Sequence, residues 1–97
     1  MEQGENTCEF RFYAELNDFA RPRPERGVLR YRFRGTPAVK DAIEALGVPH
    51  TEVDLILVDG VSVPFGHRLR DGERVAVYPV FESLDISGLA RLRPAPL

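Results

Sequence analysis

The sequence holds one cysteine, Cys8, one lysine, Lys40, and no tryptophan. A single cysteine excludes an intrachain disulfide and a cysteine cage for zinc. Long hydrophobic runs are also missing. Ala76-Val77-Tyr78-Pro79-Val80-Phe81 is among the longest, far short of the ~20 residues a spanning helix requires. The opening Met1-Glu2-Gln3-Gly4-Glu5-Asn6 is polar and slightly acidic. It has neither the basic start nor the apolar stretch of a secretory signal. A cytoplasmic location without a membrane partner is therefore expected. An excess of positive charge is absent too: 13 basic residues face 15 acidic ones, for a net charge of −2. A domain held on nucleic acid by bulk attraction is usually clearly basic, so contact with RNA would have to rest on a local patch.

What remains is an ordinary globular balance. The chain has 97 residues, 43% hydrophobic and 29% charged, which suits one core and is too short for two. Twelve of the 13 basic residues are arginine. GC-rich coding accounts for that bias as a whole. It does not account for where the arginines fall, and guanidinium groups are suited to bidentate contacts with carboxylates and phosphates.

Residues 1–7 read as a flexible N-terminus. Cys8 to Ala14 alternates, with Cys8, Phe10, Phe12 and Ala14 on one side and Glu9, Arg11 and Tyr13 on the other, the pattern of a half-buried strand. Glu15 to Gly27 is polar, contains Pro22 and Pro24, and reads as an exposed loop. Val28 to Arg34 alternates again: Leu29, Tyr31 and Phe33 against Arg30, Arg32 and Arg34. Thr36 is then expected to cap a helix with Pro37 at its first position. Val39, Ala42, Ile43 and Leu46 form one apolar stripe at helical spacing, Gly47 is the expected C-cap, and Pro49 forbids continuation. Glu52 to Val58 has a nearly continuous apolar centre and reads as a strand. Asp59-Gly60 is a strong hairpin signal, with Val61 to Val63 as the return. Pro64 to Leu69 is a loop, and Arg70-Asp71-Gly72-Glu73 a turn into the strand Arg74 to Val80. Strand, strand, helix, strand, short strand, strand predicts an α+β fold: a β-grasp, ubiquitin-like roll with a mixed four- to five-stranded sheet and one main helix. The domain is expected over residues 8–80, with residues 81–97 as a C-terminal tail or linker lying along the domain or against a partner.

Two segments resemble the β-grasp sulfur carriers of thiamine and molybdopterin synthesis: Phe10-Arg11-Phe12-Tyr13-Ala14-Glu15-Leu16, and Leu69 through Pro79. The stretch Thr36-Pro37-Ala38-Val39-Lys40-Asp41 and the hairpin Leu57-Val58-Asp59-Gly60 match as well. A closer resemblance is to the ubiquitin-like domain that precedes PIN-like ribonuclease domains of the Mut-seven-C type in bacterial proteins. Phe10 to Phe19, Ala42 to Val58 and Val77 to Arg93 carry it. Sulfur carriers end in Gly-Gly, whose carboxylate is adenylylated. This sequence ends Arg93-Pro94-Ala95-Pro96-Leu97, so neither an acyl-adenylate nor a thiocarboxylate is expected. The resemblance implies a non-enzymatic protein-interaction module that docks on a PIN-like ribonuclease and positions or regulates it, in cis or in trans. The alternatives are a sulfur-carrier-like protein, or a domain that binds RNA directly.

No catalytic constellation is visible, and no metal site or small-molecule cofactor is expected. Cys8 reads as a buried, inert thiol. His50 is expected to orient a loop or cap a carbonyl, and His67 to be exposed. Arg30, Arg32 and Arg34 are the most suggestive group, because period-two spacing places them on one face of one strand. Six arginines and one acid, Glu25, lie between Arg21 and Arg34, a charge pattern suited to phosphate or an acidic protein surface. The bland account is a solvated face paired across strands with Glu9. From Gly35 to Gly66 the balance reverses to Lys40 against five acids, so the domain is expected to be polarised for oriented docking. Val80, Phe81, Leu84, Ile86 and Leu89 are a further candidate partner surface; the two readings of it are that they complete the core or that they pack on a nuclease domain.

Overall fold

The protein is described by a computed structural model covering residues 5–21 and 27–80. The strands are β1 (Asn6–Phe12), β2 (Val28–Phe33), β3 (Val53–Val58), β4 (Val61–Ser62) and β5 (Arg74–Pro79), with one α-helix, α1 (Val39–Ala45), between β2 and β3. They form a single sheet in the order β2-β1-β5-β3-β4. β1 runs antiparallel to β2 and parallel to β5, while β3 is antiparallel to both β5 and β4. The first and last strands thus lie side by side at the centre. This is the expected mixed sheet with one helix.

Alternation decides which side chains enter the core. Cys8, Phe10 and Phe12 of β1 pair with Tyr31 and Leu29 across one ladder and with Val75 and Val77 across the other. The expected helical stripe, Val39, Ala42, Ile43 and Leu46, is buried with them. Every buried side chain among the described residues is apolar. Complete burial of one such side chain contributes roughly 1.5–3 kcal/mol.

Several expectations are corrected. β1 ends at Phe12, because Ala14 takes a left-handed φ of 53° and opens a short 3₁₀ helix, Ala14–Asp18. Asn17 Nδ2 donates to the carbonyls of Phe12 (2.8 Å) and Ala14 (3.2 Å) and so ties this turn to the strand end. The segment expected to be an exposed loop therefore contributes Leu16 and Ala20, both fully buried. β2 stops at Phe33 rather than Arg34, before Gly35 at φ 73°.

Thr36 does not cap α1; the capping residue is Ala38, without a side-chain bond. The reason is non-local. Ala38 bridges Arg68, and the Val39 and Lys40 N–H groups donate to the carbonyls of His67 (2.7 Å) and Phe65 (3.1 Å). Loop carbonyls thus satisfy donors that a capping side chain would otherwise take. Gly47 does end the helix at φ 98°. A Cβ there would lie 2.6 Å from the Phe19 carbonyl oxygen, so glycine is also required by close approach. Asp59 and Gly60 both have positive φ, 51° and 86°, the type I′ pattern their sequence predicts. The apolar run of β3 divides by parity: Ile56 and Val58 are buried, Leu57 is half-buried, and Leu55 is 39% exposed.

Candidate functional site

The sheet face opposite the core is built by the other parity. β1 places Thr7, Glu9 and Arg11 there, β2 places Arg30 and Arg32, and β5 places Arg74, Ala76 and Tyr78. In register, Glu9 lies between Arg30 and Arg74, and Arg11 between Val28 and Ala76. Leu57 opposes Ala76, and Leu55 opposes Tyr78.

This face has two halves. Towards β2 it carries the exposed side chains of Arg11, Arg30, Arg32 and Arg74. Among the described residues two contacts of opposite charge reach them, Arg32–Glu5 and Arg74–Glu9, both at 4.0 Å and both between largely exposed groups. Pairs of this kind contribute ~0–1 kcal/mol, so the guanidinium groups remain available. Towards β3 the face is apolar and aromatic. The Tyr13 and Tyr78 rings stack with centroids 4.4 Å apart and planes within 3°, flanked by Leu55 and Leu57. Partial burial, and then the bond to Tyr13, raise the Tyr78 hydroxyl above the ordinary tyrosine value. Between the halves runs an open groove of about 530 Å³ lined by Arg11, Tyr13, Leu57, Arg74 and Ala76 among others. Such a face offers an apolar floor and a charged margin, the ingredients of a protein interface.

Arg30 and Arg32 therefore stand where alternation put them. Arg34 is exposed but lies beyond the end of β2. Phe81, Leu84, Ile86 and Leu89 lie outside the described residues. The expected Glu9–Arg30 ion pair is replaced by the one from Glu9 to Arg74. The acids Asp41, Glu44, Glu52, Asp54 and Asp59 are all exposed, but Asp59 does not lie on a separate flank: it lines the groove with Arg11 and Arg74, and its carboxylate accepts the Arg74 backbone N–H at 3.0 Å. The Tyr13–Tyr78 pair was missed in the sequence, although alternation already set Tyr13 beside Arg11 and Tyr78 beside Ala76. Joining them needed the parallel pairing of β1 with β5.

The other chemical candidates resolve as structural. Cys8 is buried, and its thiol donates to the Arg70 carbonyl at 3.1 Å. Burial raises its pKa to about 11, which suppresses the reactive thiolate at neutral pH. His50 Nδ1 hydrogen-bonds the Glu44 carboxylate and ties the end of α1 to the following loop. His67 is not simply exposed. Its Nε2 is 3.2 Å from both carboxylate oxygens of Glu73, and one of these also accepts the Arg70 N–H at 2.9 Å. No group of three or more metal-ligating side chains is gathered among the described residues. No helix among them is long and apolar enough to cross a membrane.

The element order and the central parallel pair define a ubiquitin-like β-grasp domain, and solved structures share it. SAMP1 from Haloferax volcanii is 20% identical, with a TM-score of 0.60, 81% of this chain covered and 100% of that one. A second crystal structure, of the small archaeal modifier protein 1 of H. volcanii, is 21% identical with a TM-score of 0.58, covering 76% of this chain and 97% of the other. A Pyrococcus furiosus protein named as subunit 1 of a molybdopterin converting factor is 18% identical, with the same TM-score and coverage. At these identities the likeness concerns the fold. No curated protein matches the sequence. The chain belongs to the Mut7-C ubiquitin family, which it matches over residues 5–85.

Proposed function

We propose that this domain is a non-enzymatic, cytoplasmic docking module that binds a PIN-like ribonuclease domain of the Mut-seven-C type and positions or regulates it. The observation that carries the reading is the two-part outer face: Arg11, Arg30, Arg32 and Arg74 beside the Tyr13–Tyr78 pair. The family name, which joins a ubiquitin-like domain to Mut7-C, supports the choice of partner. Arginine and tyrosine are, with tryptophan, the side chains enriched at the energetic centres of interfaces. Charge at the margin steers the encounter and fixes orientation.

The test is calorimetric titration of a Mut-seven-C-type ribonuclease domain with the wild-type chain and with Arg30→Glu/Arg32→Glu/Arg34→Glu, at low and moderate salt. Single-stranded RNA is titrated in parallel. The wild type should bind the nuclease domain, and the folded triple variant should lose that binding. Unchanged binding by the variant would reduce the arginines to a solvated face. Loss of RNA binding with the nuclease retained would favour direct RNA recognition, whose affinity should fall steeply with salt.

A further inference from the structure

The backbone of β2 shows how a partner can use the arginines. On β1 and at the residue just past it, the Glu9 and Tyr13 N–H groups donate to the carbonyls of Glu73 (3.1 Å) and Val77 (3.0 Å), and the Thr7 carbonyl accepts the Gly72 N–H (2.8 Å). The odd-numbered residues of β1 thus direct their backbone groups towards β5 and its preceding turn. Asn6, Cys8 and Phe10 direct theirs the other way, where they oppose Phe33, Tyr31 and Leu29. In an antiparallel ladder, hydrogen-bonded and non-hydrogen-bonded pairs alternate. Leu29, Tyr31 and Phe33 therefore spend their N–H and C=O groups on β1. Arg30 and Arg32, in the non-bonded pairs, point theirs outward.

β2 is the end of the sheet, and no described strand pairs with its other edge. The opposite end is blunted, because β4 has only two residues. β2 offers six, with donors and acceptors projecting from the same residues that carry the guanidinium groups. We infer that the β2 edge accepts an added strand from a protein partner, with carboxylates at alternate positions of that strand set against Arg30 and Arg32. This deepens the docking reading above and rests on it.

Charge selects the occupant. A second copy paired edge to edge would set arginine against arginine on the outer face, and like charges directly opposite one another destabilise a sheet. An acidic strand reverses the sign of that interaction. Its other side chains would extend the inner apolar row beside the half-buried Tyr31. A nucleic acid could take the guanidinium groups and the N–H donors. It would also bring phosphates against the outward carbonyls of Arg30 and Arg32, which need donors.

The test uses the full chain and a short blocked peptide alternating valine and glutamate, with affinity read by calorimetry and amide exchange by NMR. The peptide should bind, protect the Arg30 and Arg32 amides from exchange, and weaken as salt rises. A lysine-for-glutamate peptide should not bind. Arg30→Gln removes one charge and keeps the N–H. Arg30→Pro also removes the outward donor, a change that an edge strand tolerates because the β1 ladder does not use it. Arg30→Pro should bind roughly tenfold more weakly than Arg30→Gln, about the effect of one or two lost hydrogen bonds. Should Arg30→Pro fail to fold, a peptide N-methylated at alternate residues makes the same comparison from the other side, and it should not bind. Absence of peptide binding, binding without amide protection, or equal affinity of the two variants would overturn the added strand. So would RNA that outcompetes the peptide and itself protects those amides. The two readings separate cleanly. Nuclease binding without protection of Arg30 and Arg32 removes only the edge mode. Peptide binding by a chain that ignores the nuclease domain removes only the choice of nuclease.

Discussion

The two faces of the sheet are made from the same strands, offset by one residue, and they serve opposite ends. The inner face carries Phe10, Phe12, Val75, Val77 and Ile56 against the helical stripe, all almost inaccessible to water. The outer face carries arginines at one end and a tyrosine stack at the other, with no helix laid across it among the described residues. A register slip of one residue would exchange them. Stability is therefore concentrated on one face, and the other is free to be specific. The faces should respond very differently to truncation.

The largest effect is expected on the inner face. Ile43 is fully buried, and Ile43→Ala should cost about 2–5 kcal/mol in a denaturant titration, the range for emptying a packed aliphatic site. Leu55→Ala, on the outer face at 39% exposure, should cost no more than about 1 kcal/mol. Equal losses would erase the distinction between the faces.

Gly47→Ala comes next. It forces a side chain into φ 98° and places a Cβ 2.6 Å from the Phe19 carbonyl oxygen. Left-handed strain alone is about 1–2 kcal/mol, and backbone must also move, so a loss of about 2 kcal/mol or more is expected by thermal or chemical denaturation. A neutral result would show that the contact between the C-terminus of α1 and the segment after the 3₁₀ helix is loose.

Cys8 gives a pH signature of inner-face burial. Burial raises the thiol from an ordinary 9.0 to about 11. Between those values the folded chain holds a proton that the unfolded chain has released. Its stabilising contribution is present below about pH 9 and is lost as pH rises through about 11. The difference in stability between wild type and Cys8→Ala should shrink over that window, and iodoacetamide should label the native thiol only slowly at neutral pH. Rapid labelling would mean that the β1–β5 side of the core opens readily.

These contrasts also mark what could be read in the sequence. The arginine face of β2 was legible because Leu29, Tyr31 and Phe33 alternate with it without interruption. The helical stripe was legible for the same reason at period 3.6. The apolar floor of the outer face was not. Leu55-Ile56-Leu57-Val58 has no alternation to read, and only pairing with β5 turns Leu55 and Leu57 outward. The missing helix cap was equally hidden, because His67 and Phe65 reach the start of α1 from more than 20 residues away in the chain. Leu16 lay in a polar segment whose turn depends on Asn17 bonding back to the end of β1. The His67–Glu73 contact joins two segments across a turn, and no spacing rule foretells it. Local periodicity is thus visible in the sequence, while contacts made by loops across the fold are not.

The smallest expected effect lies away from both faces and tests whether the acidic flank is structural at all. The Glu44 carboxylate accepts bonds from the ring Nδ1 and the backbone N–H of His50, and these hold its pKa below the ordinary carboxylate value. A lowered folded pKa stabilises the fold at pH values above the unfolded one. That contribution is lost as pH falls through the folded value, when the carboxylate is protonated. Both groups are solvent-accessible, so the gain is small. His50→Ala should return the Glu44 titration, followed by NMR of its carboxyl carbon, upward to the ordinary range. It should leave stability at neutral pH close to that of wild type, as for other surface changes. An unmoved Glu44 titration would show that the His50 ring does not hold this carboxylate in solution. Glu44 would then stand with Asp41 as an exposed acid outside the arginine face of β2.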